Sequence, residues 1–165
     1  MILYHGSNCA VDAADLDKCK PFKDFGQGFY TTEIKEHALT MAKRTARLFG
    51  GNPVLSEFSL DESIFSNEKI RIKTFAEPNI EWATFVVNNR NRKFNTISDP
   101  NCNRDNKYDV VTGPVANDDI RLTIELYVDG RLSPAGLLDA LRYRDLSQQI
   151  SFHTEKSLSF LTRIS

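Results

Sequence analysis

Residues 24–32 (DFGQGFYTT) join two glycines to an aromatic and β-branched run. Glycine reaches positive φ at little cost and lets another group approach the main chain, whereas aromatic and β-branched residues favour a strand. The pattern predicts a tight loop at Gly26 and Gly28 that leads into a strand and presents Tyr30 at its mouth. An ordinary loop with a core tyrosine fits the same residues. A dinucleotide-binding fingerprint does not, because the third glycine is missing and no strand clearly precedes the loop.

A second chemically useful side chain stands at the end of the first predicted strand. Residues 2–5 are typical of a short strand, and His5 is followed directly by Gly6 and Ser7. A histidine before glycine at a strand end can point into a cleft. Without other observations, a partly exposed strand-end histidine is the simpler interpretation.

The remaining hydrophobic patterns indicate helices and strands that alternate along the chain. Helices are predicted around 13–18, from an N-cap at Thr31 or Thr32 to residue 49, from Pro78 through 87, from a cap within 116–119 to Gly130, over 134–143, and in a turn after Thr154. Further strands are predicted over 54–60, 69–75, 108–112 and 149–152. Strands dispersed among helices predict an α+β fold with a split, largely antiparallel sheet and flanking helices.

Composition narrows the classes of function. The 165 residues fit one domain over 1–165 with a sizeable core. The net charge of −1 provides no overall field toward nucleic acid or an anionic membrane, although a local basic patch stays compatible with it. The apolar opening is too short for a signal peptide, and no apolar run reaches membrane-spanning length. We therefore expect a cytoplasmic protein with no membrane association.

Neither disulfides nor a metal site are expected. Cys9, Cys19 and Cys102 are odd in number, widely spaced and without a CxxC pair, which predicts reduced thiols. The three histidines show no ligand spacing with these cysteines.

Two basic stretches are interpreted as solvated surface. Lys43, Arg44 and Arg47 lie near the end of a predicted helix, where cations complement the helix dipole. Residues 88–93 (NNRNRK) lead into an asparagine-rich polar connection around Asp99 and Pro100.

Considered together, HGS at 5–7, GQGFYTT at 26–32 and QISFHT at 149–154 resemble the ADP-ribosyltransferase fold. The resemblance is to its His-Tyr-Glu branch, which includes the poly(ADP-ribose) polymerases and diphtheria-toxin-like enzymes. More closely, residues 2–162 resemble a bacterial family of small ADP-ribosyltransferase-like domains of unassigned function. Supporting features are Trp82 with Phe85 and Arg90, then YDVVTGPVANDD, then QISFHTEKSL.

The resemblance implies that NAD is the substrate and assigns His5 to a ribose hydroxyl. Tyr30 can supply the flat π-face that the cationic nicotinamide ring needs. Gly6 would let the carboxamide meet main-chain donors and acceptors. Ser7 could add another polar contact to the ligand. Gly26 and Gly28 would shape the loop that lies over the ligand.

The chain departs from this branch at the position of the catalytic glutamate, which is Gln149. An amide can bond a ribose hydroxyl but carries no charge to stabilise the cationic transition state. Gln148 and Gln149 cannot both face one site, because successive strand side chains face opposite ways. Gln149 is preferred because the QISF pattern begins there.

Two helix positions depart as well. The second stacking aromatic of the branch falls near Met41, and its usual serine falls at Ala38. An acid from elsewhere could replace the glutamate, and the candidates are Glu155, Asp118 and Asp119.

The leading expectation is a mono-ADP-ribosyltransferase that moves ADP-ribose from NAD to a protein or nucleic acid. The resemblance also suggests a bacterial toxin or defence effector, held by a small antitoxin-like partner. The first alternative is a non-catalytic module that binds NAD or ADP-ribose, which Gln149 favours. The second is an interaction domain that merely retains the fold.

Overall fold

The computed structural model describes residues 1–92, 101–142 and 146–165. Its strands are β1 (Ile2–Ser7), β2 (Phe29–Thr31), β3 (Val54–Leu60), β4 (Ile72–Thr74), β5 (Val110–Pro114), β6 (Gln148–Phe152) and β7 (Leu161–Arg163). Its α-helices are α1 (Lys35–Phe49), α2 (Ile80–Arg90), α3 (Asp118–Val128), α4 (Pro134–Arg142) and α5 (Glu155–Leu158). The predictions made for Asp99, Pro100 and Tyr143 lie outside the described residues.

Two sheets form, and the α+β expectation with a split, largely antiparallel arrangement is confirmed. One sheet has the order β1-β3-β7, and the other has the order β2-β6-β5-β4. Every described strand pair is antiparallel except β4 with β5. A single bridge between Tyr4 and Thr32 connects β1 to the end of β2. The two sheets therefore touch along one short edge and diverge on either side of it.

The hydrophobic residues form two cores on opposite faces of the β2-β6-β5-β4 sheet. One core lies between the sheets and includes Leu3, Phe58, Val110 and Phe152. Alternation along β5 turns Val111 to the other face, where α2, α3 and α4 supply the second core. Its fully buried side chains include Trp82 and Phe85.

Helix α1 covers the outer face of β1, and its start differs from the prediction. The chain enters α1 through Ile34, and no side chain caps the helix. Thr32 instead accepts a hydrogen bond from the Ile34 N–H at 3.2 Å, so Glu33 precedes the helix. The N-cap prediction was wrong because Thr32 is held in the bridge to β1. The helix ends as predicted at Gly50, whose φ of +79° suits glycine.

Other boundaries differ where side chains replace regular main-chain bonding. The predicted helix near 13–18 is a 3₁₀ turn over Leu16–Lys18, and the predicted strand over 69–75 shortens to Ile72–Thr74. The short helix Glu62–Ser66 and the strand β7 were missed. Residues 88–90 were predicted to belong to a polar connection, but they form the last turn of α2. Asn89 is buried there.

Among the described residues, no helix is both long enough and apolar enough to span a membrane.

Candidate functional site

His5 bridges the two sheets at the point where they separate. Tyr4 and Thr32 exchange main-chain hydrogen bonds of 2.8 and 3.0 Å. One residue further along β1, the Nδ1 of His5 lies 2.7 Å from the carbonyl oxygen of Tyr30. The imidazole also stacks on Phe29, with ring centroids 4.4 Å apart. A side-chain contact thus replaces the main-chain ladder where β1 leaves β2.

The contacts of His5 fix the state of its ring. A carbonyl oxygen only accepts, so Nδ1 must carry the hydrogen that joins His5 to Tyr30. Burial lowers the pKa of His5, while the bond to the Tyr30 carbonyl acts to raise it and nearby Lys23 lowers it further. The neutral ring then keeps Nε2 as an acceptor, the role required to hold a hydroxyl group.

The main chain of Gly6 faces the open side of the split. Tyr4 and Gly6 lie two residues apart on β1, so their N–H and C=O groups point to the same edge. Tyr4 uses this edge to bond β2, whereas Gly6 makes no main-chain bond to β2 within the described residues. A donor and an acceptor therefore stand side by side beside His5, the pattern that a carboxamide needs.

The absence of a side chain at Gly6 is explained by packing. A Cβ on Gly6 would lie 1.8 Å from the carbonyl oxygen of Ala38 in α1. Helix α1 thus rests directly on β1, and Ala38 is buried at the contact. Met41, one turn further along α1, is 44% exposed. The role predicted for Gly6, close approach to a ligand, applies only to its in-plane main-chain groups.

Tyr30 lies on the other face of β2 from Phe29, and its hydroxyl is engaged by the loop before it. The hydroxyl donates to the Gly26 carbonyl at 2.7 Å and accepts from the Phe25 N–H at 2.9 Å. Burial raises the pKa of Tyr30 well above its ordinary value. Gly26, with φ of +94°, allows the turn that brings the loop back onto this tyrosine. The half-buried ring belongs partly to the second core.

Ser7 lies at the end of β1 and is half-buried. Its hydroxyl contacts the Asn8 side chain at 3.5 Å. The hydroxyl can therefore turn toward a ligand near Gly6 without breaking a contact to the core.

Gln149 shares the face of Tyr30, and its amide is oriented by two acceptors. Nε2 donates to Asp24 Oδ2 at 2.9 Å and to the Pro114 carbonyl at 3.3 Å. Both partners only accept, so the nitrogen must point at them and Oε1 is the end left for another donor. Gln148 is exposed, as the predicted strand alternation requires.

Asp24 is the carboxylate that contacts Gln149, and sequence patterns alone did not reveal this role. The Arg90 guanidinium donates to its Oδ1 at 2.5 Å, and the Ala116 N–H donates to its Oδ2 at 2.9 Å. Arg90 also reaches the Ala116 carbonyl at 3.0 Å. The aspartate is 5% exposed, so these donors keep a buried charge paired. The signal was present in the sequence, since Asp24 opens the DFGQG stretch.

The acids proposed as substitutes for the missing glutamate lie elsewhere. Glu155 begins α5, beyond the end of β6 opposite to Gln149. Asp118 and Asp119 open α3, two and three residues after Ala116, and the side chain of Asp119 is exposed. Glu155 makes no hydrogen bond to Gln149 among the contacts of the described residues.

Position 28 has no room for a side chain because the buried His153 packs against it. A Cβ on Gly28 would lie 2.6 Å from Nδ1 of His153. That nitrogen lies 2.8 Å from the Gln27 carbonyl, and Nε2 lies 2.8 Å from the Ser151 hydroxyl. Burial lowers the pKa of His153 to about 4. The absence of a side chain at Gly28 therefore lets the loop pack against His153 at the end of β6, in addition to any role that Gly28 has beside a ligand.

Two surface depressions lie on the Met1 side of the Tyr4–Thr32 bridge, away from Gly6. The larger, of about 340 Å³, is lined by Met1, Glu33, Phe65, Thr74, Thr112, Gln148, Gln149 and Ile150. The smaller, of about 240 Å³, shares Glu33, Gln148 and Ile150 with it. Neither depression is lined by His5 or Tyr30.

These features define an α+β protein in which His5 and Gly6 lie at the split between two sheets, whereas Tyr30 and Gln149 lie on the other face of β2 from the His5–Phe29 contact. Residues 1–162 match the family described as "Protein of unknown function (DUF3990)", and the chain belongs to that family. No curated protein and no solved structure matches the chain.

The Asp24–Gln149 contact predicts how a restored glutamate behaves. Gln149→Glu would place a second carboxylate against Asp24 in a buried site, and we expect a loss of about 3 kcal/mol in the free energy of unfolding at pH 7. Asp24→Asn combined with Gln149→Glu returns one carboxylate and one amide to the pair, so it should recover most of that loss. Urea denaturation of both variants measures this, and equal stability of Gln149→Glu and the wild type would contradict the contact.

His153 predicts a loss of stability in mild acid. Folding holds its pKa near 4, against about 6.5 when unfolded, so its contribution is complete above pH 6.5 and is lost as the pH falls toward 4. The expected loss is about 3 kcal/mol over this window. Although burial acts to raise it, hydrogen bonds from Arg71 hold the pKa of Asp109 well below its ordinary range, so that carboxylate matters only in stronger acid.

Urea midpoints at several pH values, for the wild type, His153→Gln and the exposed-site control His37→Gln, measure this effect. His153→Gln should show a flatter pH dependence, whereas His37→Gln should follow the wild type. Parallel curves for all three proteins would rule out His153 as the cause.

Proposed function

We propose that this protein is a mono-ADP-ribosyltransferase that uses NAD and modifies a macromolecular acceptor. The observation that supports it most is the His5–Tyr30 contact at the split, which leaves His5 Nε2 and the Gly6 main chain side by side. These are an acceptor for a ribose hydroxyl and a donor–acceptor pair for a carboxamide. Nicotinamide riboside, one half of NAD, carries both groups next to each other.

The residues of this chain would bind and orient NAD in this way. His5 Nε2 accepts from a ribose hydroxyl, and the Gly6 main chain bonds the carboxamide. We assign Gln149 Oε1 to a second ribose hydroxyl from its place in the sequence motif, since the side chain lies on the other face of β2 from His5, and Asp24 orients its amide. The half-buried ring of Tyr30, whose hydroxyl is held by the loop, would offer its exposed part to the nicotinamide ring.

In the transfer, the bond between the ribose C1 and the nicotinamide nitrogen breaks, and nicotinamide leaves with the electron pair. A nucleophilic atom of the acceptor then bonds C1 and loses its proton to solvent. The cationic ribose is stabilised best by a nearby negative charge. Asp24 provides a carboxylate next to Gln149, but Arg90 neutralises much of it. We therefore expect slow transfer.

The same network supports the alternative, a module that binds NAD or ADP-ribose without catalysis. Gln149, Asp24, Arg90 and Ala116 already satisfy one another, as residues of a structural site do. A binding module needs the hydrogen bonds of the site but no charge at the ribose. The two functions share the NAD site and differ in whether ADP-ribose leaves it attached to an acceptor.

The test begins with calorimetric titration of NAD into the wild type, His5→Ala and the exposed-site control His37→Ala. Loss of one ligand hydrogen bond costs about 1 kcal/mol, so His5→Ala should bind NAD at least about fivefold more weakly. His37→Ala should bind like the wild type. Tyr30→Ala is a poor probe, because it would also release the loop.

Transfer is then followed with NAD labelled in its adenylate half, in cell lysate treated with nuclease or with protease. Label in one macromolecular fraction, reduced in His5→Ala, supports the transferase and identifies the acceptor class. NAD binding without labelling of any fraction supports the module. Absence of NAD binding by the wild type would overturn both functions.

A further inference from the structure

Four cations and one aromatic ring form a continuous surface beside the split. Residues 20–24 cross from the end of α1 toward the end of α2. We use the term basic surface for the set of Lys20, Phe22, Lys23, Arg92 and Arg104. It is not apparent from the composition, since the chain as a whole carries a net charge of −1.

Phe22 is the centre of the basic surface. The guanidinium carbons of Arg92 and Arg104 lie 5.5 and 5.3 Å from its ring centroid. Arg104 is held in place by a 2.9 Å bond from its guanidinium to the Asn91 carbonyl. Phe22 adopts φ of +60°, which is rare for a bulky residue. The ring is half-buried in this conformation, with both guanidinium groups near it.

The lysines extend the basic surface toward α1 and the split. Lys20 Nζ lies 3.2 Å from the ring centroid of Phe49, the last residue of α1. Lys23 acts through its charge to lower the pKa of His5.

Apart from the longer-range effect of Asp24 on Lys23, the charges of the basic surface lack carboxylate partners among the described residues. Arg90, next to Lys23, is paired with Asp24, but none of the four cations of the basic surface forms a salt bridge within the described ranges. Like charges brought together without acids repel one another, which an anionic ligand relieves. Burial lowers the pKa of Lys23, and neighbouring cations add to this against the effect of Asp24.

We propose that the basic surface binds single-stranded nucleic acid, with phosphates on its lysines and arginines and a base stacked against the Phe22 and arginine planes. Aromatic rings combined with arginine planes and a cationic track are the usual means of holding single strands. An acidic peptide would use the charges but not the aromatic ring. The inference deepens the proposed function by naming the acceptor class, and it rests on that function only for transfer, not for binding.

The test uses a fluorescein-labelled 20-nucleotide oligothymidylate, titrated with the full chain and followed by anisotropy between 50 and 200 mM salt. We expect binding that weakens with salt. Arg92→Gln combined with Arg104→Gln should weaken it at least tenfold at 50 mM salt, and should reduce the slope of log K against log salt by about 1.4 for two lost phosphate contacts. Phe22→Leu, which keeps an apolar side chain without the π-face, should weaken binding with the slope unchanged.

The matched control is Arg121→Gln combined with Arg131→Gln, which makes the same charge change on α3 and the turn after it. Equal effects of the two double variants, or no binding of the oligonucleotide by the wild type, would overturn the proposal. Displacement of the oligonucleotide by polyglutamate as readily as by unlabelled oligonucleotide would assign the surface to acidic protein and also overturn it. Circular dichroism checks that every variant is folded.

Calorimetry with NAD on the same proteins separates the two proposals. Oligonucleotide binding by a wild type that binds no NAD would remove the proposed function and keep the basic surface. NAD binding with no oligonucleotide binding would do the reverse.

Discussion

The candidate site depends on the ion pair and the hydrogen bonds that the Asp24 carboxylate forms. It is buried, and it bonds a guanidinium from α2, the main chain before α3 and the amide of Gln149 on β6. A buried charge is tolerated only when its partners are all present, so these elements must assemble together. The assembled network fixes the loop that follows Asp24, and this loop in turn holds Tyr30. The position of this loop determines which polar groups beside the split remain available to a ligand.

Sequence patterns predicted the parts of the fold that repeat regularly. The apolar spacing of α2, with Trp82 and Phe85, and the alternation along β3 are strong signals because burial imposes them residue by residue. The start of α1 could not be predicted, because Thr32 serves the bridge to Tyr4 rather than a helix cap. Strand β7 pairs with β3 about one hundred residues earlier in the chain, and no local pattern encodes such a partner.

The strand positions of His5, Tyr30 and Gln149 could be predicted from the sequence, whereas the contacts of their polar atoms could not. Their role in a ligand site stays a prediction. The partners of their polar atoms, including Asp24 and the Tyr30 carbonyl, depend on how the loop returns over β6. Gly6 and Gly28 illustrate this, since each is required by a packed neighbour that is distant in sequence.

We propose that His5 joins the sheets through Nδ1 and offers Nε2 to NAD. The ¹⁵N chemical shifts of the His5 ring, recorded without and with NAD at neutral pH, test this most directly. We expect a neutral ring with the hydrogen on Nδ1 in the free protein, and a shift of the Nε2 resonance toward a hydrogen-bonded acceptor when NAD is added. A hydrogen on Nε2, or an Nε2 resonance unchanged at saturating NAD, would contradict it.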